Sequence, residues 1–119
     1  MQPKIFDIRE RSFIFSTKII QLTYFLPRNL SGNAIGNQIV RSGCSVGANI
    51  EEAQNSCSRK EFIHGMTIAL KEARETNYWL RLIEKTDTII ENSVKDLVNE
   101  SEELIKILIT IVKKSKIEI

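Results

Sequence analysis

Apolar side chains return every three or four positions through four long stretches of this sequence, and little interrupts them. Only 5 Gly and 2 Pro occur among the 119 residues. A period near 3.6 marks a helix with one buried face, whereas a half-buried strand alternates with a period of two. No alternation of useful length, no internal repeat and no low-complexity tract is present. The sequence therefore reads as all-α, one domain over residues 1–119, with long helices and short connections. Helices of this kind bury their apolar faces together as an antiparallel, up-and-down four-helix bundle.

The first helix is expected over residues 7–26, where Ile8, Phe15, Ile19, Leu22 and either Phe25 or Leu26 fall near helical spacing and Pro27 ends the run. Phe13, Ile14 and Tyr24 widen its apolar face, which predicts contact with more than one neighbour. The second helix is expected over residues 33–56, with Ile35, Ile39, Val46, Ile50 and Ala53 in line. Its middle carries Ser42, Gly43, Cys44, Ser45, Gly47 and Ala48. Each Gly costs a helix ~1 kcal/mol against Ala, so this stretch makes sense where another backbone comes close. The alternative is a loop joining two shorter helices.

Ser58 and Glu61 have the spacing of a capping box at the start of a third helix over residues 58–86. Its apolar line is Phe62, Met66, Ala69, Ala73, Leu80 and Ile83. A linker at 87–92 leads to Ser93, placed as the N-cap of a fourth helix over residues 93–115. That helix carries Val94, Leu97, Val98, Leu104, Ile105, Leu108, Ile111 and Val112, and gathers Lys113, Lys114 and Lys116 at its negative end.

The composition excludes several classes of function. With 42% hydrophobic and 27% charged residues and a net charge of +2, the chain is ordinary for a globular domain. A nucleic-acid role would need its positive charge concentrated on one face. The apolar run near the end is broken by Thr110 and falls far short of the ~20 residues that cross a bilayer. The charged start lacks the features of a signal peptide. Cys44 and Cys57, if both lay on one helix, would be too far apart to bridge, and free thiols suit a reducing cytosol. A cytoplasmic protein without membrane contact is the expectation. His64 is the single histidine, and no zinc spacing, Glu-x-x-His pair or Gly-rich phosphate loop accompanies it. No metal, no cofactor and no catalytic activity are expected.

What remains lies on helix faces that the core does not use. On the third helix Lys60, His64, Thr67, Lys71, Arg74, Tyr78, Arg81 and Lys85 share one stripe. Lys60, Lys71, Arg74, Arg81 and Lys85 could contact phosphates, with Tyr78 as a stacking ring. The plainer reading is a solvated face, with Glu72, Glu75 and Glu84 near enough to offset part of the charge. A further strip holds Ile68, Trp79 and Leu82 and is a candidate subunit contact, since Trp is a frequent interface anchor. Its alternative is a helix set deeper in its own bundle. On the second helix Arg41 lies in a polar line with Asn49 and Glu52, and a buried ion pair with Glu52, Glu72 or Glu75 is expected to fix geometry there, the alternative being an Arg41 that faces a ligand.

The segment Gln38-Ile39-Val40-Arg41-Ser42-Gly43-Cys44-Ser45-Val46-Gly47-Ala48-Asn49-Ile50-Glu51-Glu52-Ala53 resembles the second helix of the bacterial four-helix proteins encoded in intervening sequences of 23S rRNA genes. Ser58-Arg59-Lys60-Glu61-Phe62 and the stretch from Ala69 to Ile83 resemble the third helix of that family. Arg41, Ser42, Ser45, Ala48, Asn49, Glu52, Glu61, Phe62, Lys71, Glu72, Glu75, Tyr78 and Trp79 match its motif. The chain is also similar to the accessory proteins of diversity-generating retroelements. The resemblance implies a homopentameric barrel, and the retroelement proteins imply binding to nucleic acid and to a partner protein. Where many relatives carry a basic, Gly-containing junction, this chain has Gln54-Asn55-Ser56-Cys57, in which Asn is expected to supply a left-handed helix stop. The function expected is a non-enzymatic, self-associating accessory protein that contacts structured RNA or DNA through helix three. The alternative is a protein-binding scaffold with no nucleic-acid contact.

Overall fold

A computed structural model describes residues 3–86 and 91–117, with side chains over 8–86 and 93–117. Four helices account for nearly all of it: α1 (Pro3–Thr23), α2 (Leu30–Ala53), α3 (Arg59–Thr86) and α4 (Glu91–Ile117).

Their ends differ from the periodicity-based expectation, for local reasons. Helix α1 begins at Pro3 rather than at residue 7, since proline is tolerated in a first turn whose amides lack helical partners. It stops at Thr23 rather than at 26. The amides of Tyr24, Phe25 and Leu26 donate to the carbonyls of Gln21, Leu22 and Thr23 at 3.1, 3.0 and 3.3 Å, a tighter winding that runs the helix down ahead of Pro27. Helix α2 begins at Leu30 rather than at 33, because Asn29 is extended (φ −143°) and its side chain accepts from the Gly32 amide at 2.9 Å. Its end, expected at 56, comes at Ala53. Gln54, Asn55 and Ser56 close by short-range bonds, and no non-glycine residue among those described has positive φ, so the left-handed Asn stop is not used.

Helix α3 is capped largely as its sequence suggests. Ser58 Oγ accepts from the Glu61 amide at 3.1 Å, while the Glu61 carboxylate accepts from Cys57 N–H at 3.0 Å, one residue earlier than a capping box requires. Helix α4 begins at Glu91, so Ser93 sits inside the first turn instead of capping it. The expected linker falls mostly on residues 87–90, outside those described.

The Gly- and Ser-rich stretch of α2 is continuous helix. Ser16 Oγ of α1 donates to the Gly43 carbonyl at 2.8 Å, and a Cβ at Gly43 would lie 2.9 Å from Ile19 Cγ2. The small residues are thus where α1 crosses α2 closely. One core runs through all four helices: Phe15 and Ile19 from α1, Ile39 and Ile50 from α2, Met66 and Leu80 from α3, Leu104 and Leu108 from α4, all fully buried. Burial of each such side chain is worth roughly 1.5–3 kcal/mol. Within the core, Thr76 Oγ1 donates to Ser42 Oγ and Asn77 Nδ2 to Ser101 Oγ, each at 2.8 Å.

Each helix packs against two others, α1 on α2 and α4, and α3 likewise on α2 and α4, so α1 and α3 occupy opposite corners of a body 47 × 21 × 19 Å. Packing is looser between α1 and α4, where a groove of about 540 Å³ opens, lined by Ile14, Lys18, Phe25, Asp96, Leu97 and Glu100 among others. Arg11 spans these two helices with bonds of 3.0 and 2.7 Å to the Glu100 carboxylate. Helix α1 does meet two neighbours, α2 and α4, but Phe13, Ile14 and Tyr24, expected to widen its apolar face for them, are exposed. The neighbours of α1 pack on the side that carries Phe15, Ile19 and Leu22, which leaves these three facing outward.

Candidate nucleic-acid interface

Helix α3 has 28 residues, a length of about 42 Å at 1.5 Å per residue. Met66, Ala69, Ala73, Leu80 and Ile83 turn into the core. Lys60, His64, Thr67, Lys71, Arg74, Tyr78, Arg81 and Lys85, the whole predicted stripe, are all exposed on the outer side.

One of these cations is held rigidly. Arg81 Nε donates to Asn77 Oδ1 at 2.8 Å, Asn77 Nδ2 donates to Ser101 Oγ, and Ser101 Oγ donates to the Val98 carbonyl at 2.7 Å. A chain of hydrogen bonds therefore runs from the backbone of α4 to the surface arginine. The Arg81 guanidinium lies 5.8 Å from the centroid of the Tyr78 ring, over its face. A base stacking on Tyr78 must use the other face or displace Arg81. The Tyr78 ring also meets Trp79 edge to face, with centroids 5.2 Å apart and planes at 69°.

Two carboxylates that could have cancelled this charge are drawn away from it. Arg41 of α2 pairs with Glu72 (Nη1 to Oε1, 3.3 Å) and with Glu75, and donates to Gln38 Oε1 at 3.2 Å. Trp79 Nε1 donates to Glu75 Oε2 at 3.1 Å. The Arg41 side chain is 48% exposed, so the pair is a surface cluster tying α2 to α3 and not the buried pair expected. Such pairs are worth ~1 kcal/mol or less. Glu52 is exposed and stands apart from the cluster, and Asn49 Nδ2 donates to the Ser45 carbonyl of its own helix at 2.8 Å.

Of the other predicted strip, Ile68 and Leu82 are half-buried, and Trp79 is half-buried against the edge of the core. The most exposed large apolar side chains lie elsewhere: Phe13 in α1, Tyr24 and Phe25 just past its end, Leu30 at the start of α2 and Ile117 at the end of α4. Sequence reasoning missed the Asn77–Ser101 and Thr76–Ser42 pairs. The available signal was polar residues at positions whose helical phase points inward. The two cysteines do not share a helix: Cys57 lies exposed in the α2–α3 connection and Cys44 is half-buried in α2, where burial pushes its thiol above the ordinary value. Among the described residues, no cluster of three or more His, Cys, Asp or Glu is placed to hold a metal ion, and no helix is long and apolar enough to cross a membrane.

The family model for 23S rRNA-intervening sequence proteins matches residues 4–110. A crystal structure of a protein of unknown function from the S23 ribosomal protein family of Bacteroides thetaiotaomicron VPI-5482 is similar at a TM-score of 0.83 and 41% identity, covering 92% of this chain and 98% of that one. No curated protein matches the sequence. With the match spanning most of the chain and all four helices, the chain belongs to the 23S rRNA-intervening sequence protein family.

Proposed function

We propose that this protein is a non-enzymatic, self-associating accessory protein of the cytosol that binds structured RNA or DNA through the outer face of α3. The observation that carries this reading is the row of exposed cations, Lys60, Lys71, Arg74, Arg81 and Lys85, on one helix whose neighbouring acids Glu72 and Glu75 are committed to Arg41. Arg81, held by Asn77, loses little side-chain freedom when it meets a phosphate. Repetition around a homopentamer would multiply these contacts.

The reading includes an antiparallel, up-and-down bundle. Arg9 of α1 pairs with Glu51 late in α2 at 2.8 Å, and Ser16, further along α1, bonds Gly43, further back in α2. Residue numbers that rise in one helix as they fall in the next fit opposite directions.

The test is titration of fluorescent structured RNA and duplex DNA at two salt concentrations. Binding that weakens steeply with salt is expected, since each phosphate neutralised on a duplex contributes a slope of about −0.9 in log K against log salt. Arg74→Glu with Arg81→Glu should abolish it and leave the assembly intact. Binding untouched by that pair of changes rules out the α3 face. A second reading, a scaffold for a partner protein, is favoured by the low net charge of +2 and the exposed apolar side chains of α1. It takes over if no nucleic acid binds even at low salt.

A further inference from the structure

Helix α1 has two apolar faces, and the bundle covers one. At ~100° per residue, Phe15, Ile19 and Leu22 form the buried side, while Phe13 and Ile20 fall within about 20° of one another on the far side, with Ile14 beside them and Tyr24 and Phe25 in the turn just past the helix end at Thr23. These five are exposed by 70% (Phe13), 39% (Ile20), 72% (Tyr24), 47% (Ile14) and 67% (Phe25).

We propose that this outer face of α1 is the surface on which a second copy of the chain docks, an inference that rests on the self-association reading above and gives it a location. The first argument is area. Taking ~200 Å² for a fully exposed side chain of this size, the five present roughly 590 Å² of mostly apolar surface. A stable interface buries about 800 Å² per partner, of which a little over half is apolar, so this one strip supplies the apolar share of a whole interface. An exposed strip of that extent, rimmed by polar residues, marks an interaction site.

The second argument is charge, which selects the occupant. Between and beside the apolar residues stand Arg9, Glu10, Thr17, Lys18 and Gln21, with Arg9 matched by Glu51 at 2.8 Å, so the charges of the two signs are equal in number. Nucleic acid would need a cationic row here, and an anionic membrane surface would need lysines and arginines flanking the apolar face. Thr17 satisfies its own hydroxyl on the Phe13 carbonyl at 3.0 Å, so it adds no unmet polar group when covered. A near-neutral apolar face suits another such face, and the one partner guaranteed at matched concentration is the chain itself. The groove beside it, bordered by Ile14 and Phe25 on one side and Leu97 on the other, gives side chains of the second copy a place to enter.

The experiment is light scattering of the full chain and of the Phe13→Glu, Tyr24→Glu variant, with helix content followed by circular dichroism and the emission of Trp79, the sole tryptophan, as a monitor of α3. The expected result is an oligomer that falls toward the 13.6 kDa monomer in the variant, with helicity and Trp79 emission unchanged. An oligomer of unaltered mass in a folded variant overturns the location while leaving self-association standing. A monomeric parent chain overturns both. Should the two carboxylates reduce helicity, the milder Phe13→Ser, Tyr24→Ser variant decides by the same readout.

Discussion

Asn77 and Ser101 show how much a single polar atom inside the bundle decides. Their 2.8 Å bond crosses from α3 to α4 in the core, and the same Asn77 side chain holds Arg81 at the surface. Ser101→Ala removes the acceptor for Asn77 Nδ2 and leaves a buried donor unmatched, which costs about 1–3 kcal/mol. Thermal unfolding should register this as a Tm lower by several degrees, and an unchanged Tm would mean that Asn77 finds another partner. The cysteines make a second test. Cys57 is exposed, whereas Cys44 is half-buried and its thiol is pushed up by desolvation. At pH 8 a thiol reagent should therefore label Cys57 well ahead of Cys44; equal rates would mean that α2 opens freely around Cys44. A folded-state value raised above the unfolded one contributes stability that is present at neutral pH and is lost only as pH climbs through the thiol range.

Helix α2 joins sequence to packing most directly. Its small residues would weaken an isolated helix, yet they let α1 approach until Ile19 touches the Gly43 backbone region. Gly43→Ala puts a Cβ 2.9 Å from a buried, branched side chain and should destabilise by about 1–3 kcal/mol. Gly36 is the control. A Cβ there meets only Leu26 Cδ1 at an ordinary 3.5 Å, so Gly36→Ala should stabilise by ~0.5–1 kcal/mol through helix propensity. Urea denaturation midpoints that move the same way in both variants would sink the close-packing account. The cap of α3 was legible because Ser58 and Glu61 act within a single turn. The start of α2 was not, because Asn29 follows Pro27 in a stretch that read as loop.

At the scale of the molecule, the four helix–helix contacts are unequal. The α1–α4 side keeps an open groove bridged by the half-exposed Arg11–Glu100 pair, while α2, α3 and α4 share internal polar pairs as well as apolar packing. Local opening follows the side with fewer buried contacts. In the Phe13→Glu, Tyr24→Glu variant, amides of α1 should exchange hydrogen before those of α3. Uniform protection across both helices would show the groove to be as firmly closed as the rest.

The number of helices, the identity of most core residues and the basic stripe of α3 were determined by the sequence alone, because helical periodicity and phase are local and repeat over many residues. Tertiary structure decided what depends on a neighbour. It sent Arg41 to Glu72 and Glu75 and not to Glu52, since that choice depends on which helix lies across from α2. It tied Arg81 back to α4 through Asn77 and Ser101, residues distant in the chain. It also left Phe13, Ile20 and Tyr24 uncovered. Apolar spacing tells which residues of a helix share a face, but only the placement of the other three helices tells which face is covered and which is left exposed.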